Sequence, residues 1–528
     1  MSHIGTLPCD AGQILRPMAP SQCPAAARRW TLVAAILGSS MAFVDGTVVN
    51  VALPALQRDL DASASQAQWI IESYALFLAS LLLVGGALGD RFGRRLVFMA
   101  GVALFTAASI ACALSASATQ LIVARAVQGV GAALLVPGSL SLISATFPQN
   151  ERGRAIGTWS AFSGITAAVG PVLGGYLVDH FSWTAAFLVN APLGIALLAL
   201  TAMKVPESRG AAAEGRLDLL GAALATLGLA GVVFAFIEAP ARGWTAGLMG
   251  VAAAGVVALV LFVVAESRSP SPMLPLSLFR IRDFAGTNLL TLLLYAALGG
   301  GLFFFPLNLI QVHGYGATAA GAAMLPFIAI MFLLSRWAGH LADTWGPRIP
   351  LVVGPIVAAG GFALFALPST GGSYWRDFLP AVCVLGLGMA VTVAPLTTTV
   401  MNSVGRELSG VASGVNNAVS RAAGLLAIAV FGILMASAFD AALSARLSAM
   451  HLPPALLQAV DQQRHKLAAI EAPPGTDSAT AAALHDAVGG AFVAGFRQVM
   501  WACAALALLG AASAGVLIGG TAATRRRS

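Results

Sequence analysis

The chain has 528 residues, of which 58% are hydrophobic and 10% charged, with a net charge of +7. A soluble domain carries about 25% charged residues, so this much apolar surface needs lipid as its solvent, and a water-soluble protein is excluded. The positive balance does not point to nucleic acid, because the basic residues sit in short connections between apolar runs and not on one face.

Residues 1–30 form a tail rich in Pro, Ala and Ser, with no apolar core before Arg28-Arg29, so no cleaved signal peptide is expected. Apolar stretches of about 20 residues, each able to cross a bilayer as a helix, then follow. They lie at 31–54, 67–89, 96–115, 119–145, 155–178, 184–203, 217–238, 245–265, 284–310, 318–341, 349–367, 377–401, 411–437 and 492–519. That makes fourteen. Polar connections fill 204–216, 266–283 and 438–491. In the last of these, Leu443, Leu447, Leu456, Leu457 and Val460 have helical spacing, which predicts a segment lying on the outer surface.

Two copies of one charged turn stand between these spans. The first is Gly86-Ala-Leu-Gly-Asp90-Arg-Phe-Gly93-Arg-Arg95 and the second Gly339-His-Leu-Ala-Asp343-Thr-Trp-Gly346-Pro-Arg348. Each has Asp, then Gly three residues on, then Arg two after that. They follow the second and tenth spans, a separation that fits two six-span halves if two further spans are inserted between them. The reading is an all-α polytopic membrane protein. Its tail is 1–30, its first half 31–203, its linkers and inserted pair 204–283, its second half 284–519 with an external loop at 438–491, and its basic tail 520–528. Paired membrane halves are the usual build of an alternating-access transporter.

Twenty of the 29 Lys and Arg residues fall on the side of the N-terminus and seven on the other, while Arg125 and Arg421 lie inside spans. That bias places both termini in the cytoplasm. The five cysteines, Cys9, Cys23, Cys112, Cys383 and Cys503, form no CxxC pair, so neither a metal site nor a disulfide framework is expected.

Charged residues inside spans are the functional candidates, because an ionised side chain in hydrocarbon must pair, hydrate or exchange a proton. Asp45 lies deep in the first span. Glu72 in the second and Arg125 in the fourth share its depth, and Arg125 is the expected partner of one of the two acids, with proton coupling as the role of Asp45. Gln128 is one helical turn from Arg125 on nearly the same face. Glu72, Gln128, Tyr295, Asn308 and Arg421 are candidates for a substrate cavity, with Phe303 to Phe305, Met324 and Trp337 as apolar lining. The tenth span has no acid, which disfavours divalent cations. Gly170 with Gly174, and Pro171 with Gly175, are i, i+4 pairs that let a helix approach a neighbour closely or bend. The turn residues Asp90, Arg91, Gly93, Arg94 and Arg95, with Asp343, Gly346 and Arg348, are read as a conformational latch, and Asp90 is expected to hold a helix N-terminus.

Several of these segments carry a family resemblance. Asp45-Gly-Thr-Val-Val-Asn-Val-Ala-Leu-Pro54 resembles the first-helix motif of the fourteen-helix drug:proton antiporters of the major facilitator superfamily. Gly89-Asp90-Arg91-Phe-Gly93-Arg94-Arg95 resembles the superfamily's signature loop, Arg125-Ala-Val-Gln128-Gly129-Val-Gly131 its fourth-helix motif, and Gly170-Pro171-Val-Leu-Gly174-Gly175 the fifth-helix antiporter motif of its exporters. Trp69-Ile-Ile-Glu72-Ser-Tyr74 is similar to the corresponding segment of exporters of quaternary ammonium compounds. In the antiporter motif, Thr166 stands where the family has a glycine.

The resemblance implies a proton-coupled exporter of lipophilic monocationic or neutral drugs or secondary metabolites, with a proton-coupling role for Glu72 and Arg125. It implies a bacterial inner membrane, no cofactor, and a monomer whose partners are the substrate, protons and the bilayer; a periplasmic partner is left open. The chain has no G-x-x-x-x-G-K-[ST] loop for direct ATP drive. The rivals are a lipid or solute mover of the same fold and, in another class, a membrane sensor or enzyme.

Overall fold

The computed structural model describes residues 24–209, 218–269, 272, 274–404, 409–450 and 452–519. These residues contain helices and turns and no strands. In chain order the helices are α1 Ala25–Asp59, α2 Ala64–Phe92, α3 Arg94–Ala113, α4 Ala118–Thr146, α5 Gln149–His180, α6 Trp183–Leu188, α7 Asn190–Lys204, α8 Leu219–Arg242 and α9 Ala246–Arg268. They continue with α10 Arg282–Leu307, α11 Ala317–Ala322, α12 Leu325–Trp345, α13 Arg348–Phe365, α14 Leu379–Asn402, α15 Ser409–Met450, α16 Pro454–Gln462 and α17 Ser478–Leu517.

Apolar runs form helices here because a lipid interior leaves the backbone no partner but itself. Among the described residues twelve helices are long and apolar enough to cross a membrane. The number is thirteen when α2, bent by 52° between Ala64–Leu82 and Val84–Phe92, counts as one span. Of the fourteen expected spans, the one outside this number is α5. Its 32 residues are long enough and the stretch 161–178 within it is apolar, but Ala161, Gly164, Ala167 and Ala168 lie outside the residues whose side chains are described, to which the number is confined.

The described residues cluster into two compact units. The first takes in those within Met1–Ala52, Trp69–Gly228 and Ala258–Met273, and the second those within Leu53–Gln68, Leu229–Val257 and Leu274–Ser528. The first is held by a core in which Met41, Tyr74, Phe98, Phe105, Leu135, Leu142 and Leu197 bring α1 to α4 and α7 together. In the second, Leu278, Phe284, Val400, Ala412 and Val415 form a comparable cluster.

The repeated turn has a backbone cause. A single residue, Gly93, separates α2 from α3 and has φ of 124°, and Gly346 between α12 and α13 has φ of 82°. Both lie in the left-handed region that favours glycine, which explains why the glycine recurs at the same offset from Asp.

The stretch 438–491 is mostly helix, not loop. α15 and α17 are 42 and 40 residues long, about 60 Å each at 1.5 Å per residue, twice the thickness of a hydrocarbon core of about 30 Å. Leu443, Leu447 and Val460 are buried in protein, so the helical spacing reflects continued packing beyond the expected span.

Candidate functional site

Asp45, Arg125 and Gln128 meet inside the first unit. The Arg125 guanidinium pairs with Asp45 Oδ2, and the side chains are 1% and 0% exposed. Arg125 Nη1 also donates to Gln128 Oε1 at 2.6 Å, and its Nε to the carbonyl of Ile70 at 3.0 Å. Gln128 Nε2 donates to Asp45 Oδ1 at 2.8 Å and to Ser109 Oγ at 2.7 Å. Asn190 Nδ2 completes the set, 3.1 Å from Asp45 Oδ1. The guanidinium lies over the Tyr74 ring at 4.2 Å from its centroid and 5.8 Å from that of Phe187. Tyr74 donates its hydroxyl to the carbonyl of Ala42.

Small residues set this geometry. Arg125 and Gln128 share a face of α4 because they are three residues apart. The next residue, Gly129, lies against α2: a Cβ there would come 2.5 Å from the carbonyl oxygen of Tyr74. Gly131 lies against α3, where a Cβ would come 2.6 Å from the Phe105 nitrogen. α4 therefore sits close to α2 and α3, while the salt bridge to Asp45 on α1 is made directly by the length of the Arg125 side chain. The result is a carboxylate held by three donors, Arg125, Gln128 and Asn190, in a tightly packed interior. Such a pair is costly to break one partner at a time, because the survivor is left buried and uncompensated.

Glu72 is the other acid at this depth, and it does not pair with Arg125. It is fully buried, and neither carboxyl oxygen has a hydrogen-bond partner among the described residues. Sequence depth had made either acid the partner of Arg125, and the rotation of α2 turns Glu72 away.

The candidates of the second unit do not form one cluster. Asn308 is buried, with Oδ1 lacking a hydrogen-bond partner among the described residues, whereas Tyr295 on α10 and Arg421 on α15 are half-buried. Phe305 and Met324 line a small cavity, about 10 Å³ once open solvent is excluded, together with Gly301, Leu302, Phe362, Phe365, Leu385 and Met500. Phe303 and Phe304 stack edge to face in the packed interior. Trp337 is 51% exposed, so it faces outward from its helix.

At the antiporter motif, α5 lies directly on α1. A Cβ on Gly174 would stand 2.7 Å from Val48 Cγ1, and one on Gly170 would stand 3.4 Å from Val44 Cα. Pro171 is inside the helix and Gly175 is buried. Thr166 turns its hydroxyl to the carbonyls of Phe162 and Ser163.

The charged turn departs from expectation at Asp90. Asp90 belongs to the last turn of α2 and accepts from Arg94 Nε at 2.8 Å. The anion at the N-terminus of α3 is Glu207, which accepts from the backbone N–H of Arg95 at 2.9 Å and of Leu96 at 3.1 Å. A residue at a helix C-terminus cannot satisfy the next helix's first N–H groups, whereas the chain leaving α7 passes beside them. Arg95 Nη1 donates to the carbonyl of Val205, and Arg91 is exposed, its guanidinium 5.6 Å from the Phe92 ring. In the second copy Arg348 donates to the carbonyl of Gly515. The side chain of Asp343 lies outside the described residues, as do the tails 1–23 and 520–528.

Ser109, Asn190, Phe187 and Glu207 were not singled out by sequence reasoning. Ser109 and Asn190 are small polar residues in apolar runs, a signal too common to stand out. Asn190 follows Val189, where the sixth span breaks into α6 and α7.

The Major Facilitator Superfamily profile matches residues 35–428. The tetracenomycin C resistance and export protein of Streptomyces glaucescens is 37% identical over 418 residues, 78% of this chain and 76% of that one. The multidrug resistance protein Stp of Mycobacterium tuberculosis is 37% identical over 445 residues, 83% and 80% of the two chains. Among solved structures, a bacterial homologue of the human lysosomal transporter Spinster, inward-facing and unoccupied, superposes with a TM-score of 0.65 at 18% identity, covering 94% of this chain and 97% of that one. That last likeness concerns the fold alone.

Proposed function

Because this chain belongs to the Major Facilitator Superfamily of membrane transporters, and is therefore not an enzyme, we propose that it exports lipophilic drugs or secondary metabolites in exchange for protons. Resistance and export proteins among its relatives support the cargo class. The observation that carries the coupling is the buried pair of Asp45 with Arg125, closed in by Gln128 and Asn190.

All the polar contacts of Asp45 come from donors, an arrangement that suits the ionised carboxylate. A proton arriving there removes the charge that Arg125 neutralises and leaves the cation uncompensated in a low-dielectric pocket, where like and unlike charges act strongly. In the proposed cycle, protons enter from outside, reach Asp45, weaken its pairing with Arg125 and favour release of the substrate. Loss of the proton to the cytoplasm restores the pair. Glu72, buried without a hydrogen-bond partner among the described residues, supports a monocationic or neutral cargo, either as counter-charge or as a second proton site. The arginine-rich turns lie on the cytoplasmic side of an inner membrane in this reading. The protein works as a monomer and needs no cofactor, the proton gradient supplying the drive.

Uptake of cationic, neutral and anionic compounds into inverted vesicles under an imposed pH gradient tests the proposal. Accumulation of cationic and neutral compounds that collapses in Asp45→Asn is expected. Equal accumulation with and without the gradient would remove proton coupling.

A further inference from the structure

The connection between α15 and α17 is not a plain turn. α16 is followed by a 3₁₀ helix, Arg464–Ala469, in which Leu467 has φ of 55° and ψ of −123°. That conformation is disfavoured for an L-residue with a branched side chain. Among the described residues only one other non-glycine, Asp61, has positive φ.

The strained residue lies over a cavity. Leu467 and Lys466 line a small space, about 20 Å³ once open solvent is excluded, whose other walls are Gln57, Gln68, Gln311, Phe303, Phe304 and their neighbours. Gln311 donates to Gln57 at 3.0 Å across it. All of these residues belong to the second unit, which includes Leu53–Gln68 at the turn between α1 and α2.

The segment's two attachments differ in strength. Arg464 is 2.7 Å from Asp461 on the neighbouring helix α16, and on the α15 side it reaches Ser444 Oγ at 2.9 Å and Asp440 at 3.7 Å. Gln463 bonds the backbone of Glu471 in both directions, so the segment is braced within itself. On the side of the α1–α2 turn there is one ion pair, Lys466 Nζ to Asp61 Oδ1 at 2.6 Å, with Asp61 83% exposed. An exposed pair of this kind is weak. Pro453 and Gly475, the latter at φ of 87°, mark the ends of the braced part.

We propose that residues 453–475 are a strap over the exit from the transport path, with Leu467 as its stopper and the Lys466–Asp61 pair as its releasable clasp. The strap stays on α15 and swings off the α1–α2 turn when the cavity opens. Calling this end the exit rests on the orientation given above, while the strap's movement does not depend on Asp45.

The test uses the full-length protein with its native cysteines replaced and Gln57→Cys introduced in the cavity wall. A membrane-impermeant maleimide is applied to sealed vesicles of each orientation. Leu467→Ala, Leu467→Gly and Lys466→Glu should each raise labelling several-fold, and the charge-swapped Asp61→Lys with Lys466→Asp should bring it back down. Leu467→Gly relieves the backbone strain, so higher labelling in a variant of unchanged or higher melting temperature separates plugging from stability. A bis-maleimide bridge between cysteines at 61 and 466 should suppress labelling. Labelling at the wild-type rate in all of these would overturn the strap. The same pattern from the opposite face of the membrane would keep it and overturn the orientation, and its persistence in Asp45→Asn would show that it stands apart from proton coupling.

Discussion

Glu207 and Arg95, 112 residues apart in the chain, meet at the first turn of α3, where the carboxylate accepts from the backbone N–H of Arg95 at 2.9 Å. Gly93 makes the meeting possible, because any Cβ there would stand 2.9 Å from the carboxyl group. The charged turn and the chain that leaves α7 are thus one structure.

Glu207→Ala should lower the melting temperature of the purified protein, by the equivalent of about 0.5–2 kcal/mol for a lost helix cap. Glu207→Gln should retain part of that. Asp90→Asn removes only a partly exposed pair with Arg94 and should cost less stability. If Asp90→Asn nevertheless slows transport more than Glu207→Gln does, the latch acts through Asp90. Equal and wild-type rates in both would reduce the turn to a topology signal.

Breaking the buried pair from one side should be worse than removing it whole. Arg125→Ala or Asp45→Ala should each destabilise by about 3–5 kcal/mol, the range for an uncompensated buried charge. The double variant should recover part of this loss while still failing to couple export to a pH gradient. A double variant as unstable as the sum of the two would mean that the residues act independently.

Glu72→Gln keeps the shape of a side chain that makes no hydrogen bond among the described residues. Stability should therefore hold or rise. Export of monocations should fall by several-fold more than export of neutral compounds. Equal loss in both classes would make the residue structural.

Gly174→Ala places a methyl group against Val48, at 2.7 Å from Cγ1 and 3.0 Å from Cα. Overpacking of this kind costs about 1–3 kcal/mol. Exchange of labelled for unlabelled substrate should slow, because α5 can no longer lie on α1 as closely. An unchanged exchange rate would limit the motif to packing.

The Lys466–Asp61 clasp should respond to salt and acid in a defined direction. The hydrogen bond from Lys466 is the main reason Asp61 titrates below its ordinary value of 3.8, with the Lys466 charge next. A depressed carboxylate stabilises the closed clasp above the ordinary value and loses that effect as pH falls through the lower one. Labelling of the cavity cysteine should thus be flat with pH across the neutral range and rise only in strong acid. Added salt should raise it at neutral pH, since the pair is exposed. A step near neutral pH would implicate His465, whose charge also bears on this pair.

Depth along a span is legible in a sequence, because it follows from counting residues at a fixed rise. That is why Asp45, Glu72 and Arg125 could be placed in one layer and the apolar runs assigned to a membrane. The spacing of Asp90, Gly93 and Arg95 was legible for a similar reason: the turn's backbone demands glycine, and the demand repeats in the second copy. Which acid answers Arg125 was not legible. It depends on how α1 and α2 are rotated and how closely α4 approaches α2 at Gly129, and rotation is fixed by packing between helices distant in sequence. The same holds for Ser109, Asn190 and Glu207, each ordinary in its own segment and important only for what stands opposite. The strap was hidden most fully, because no feature of the residues beside Leu467 accounts for its conformation, φ of 55° and ψ of −123°.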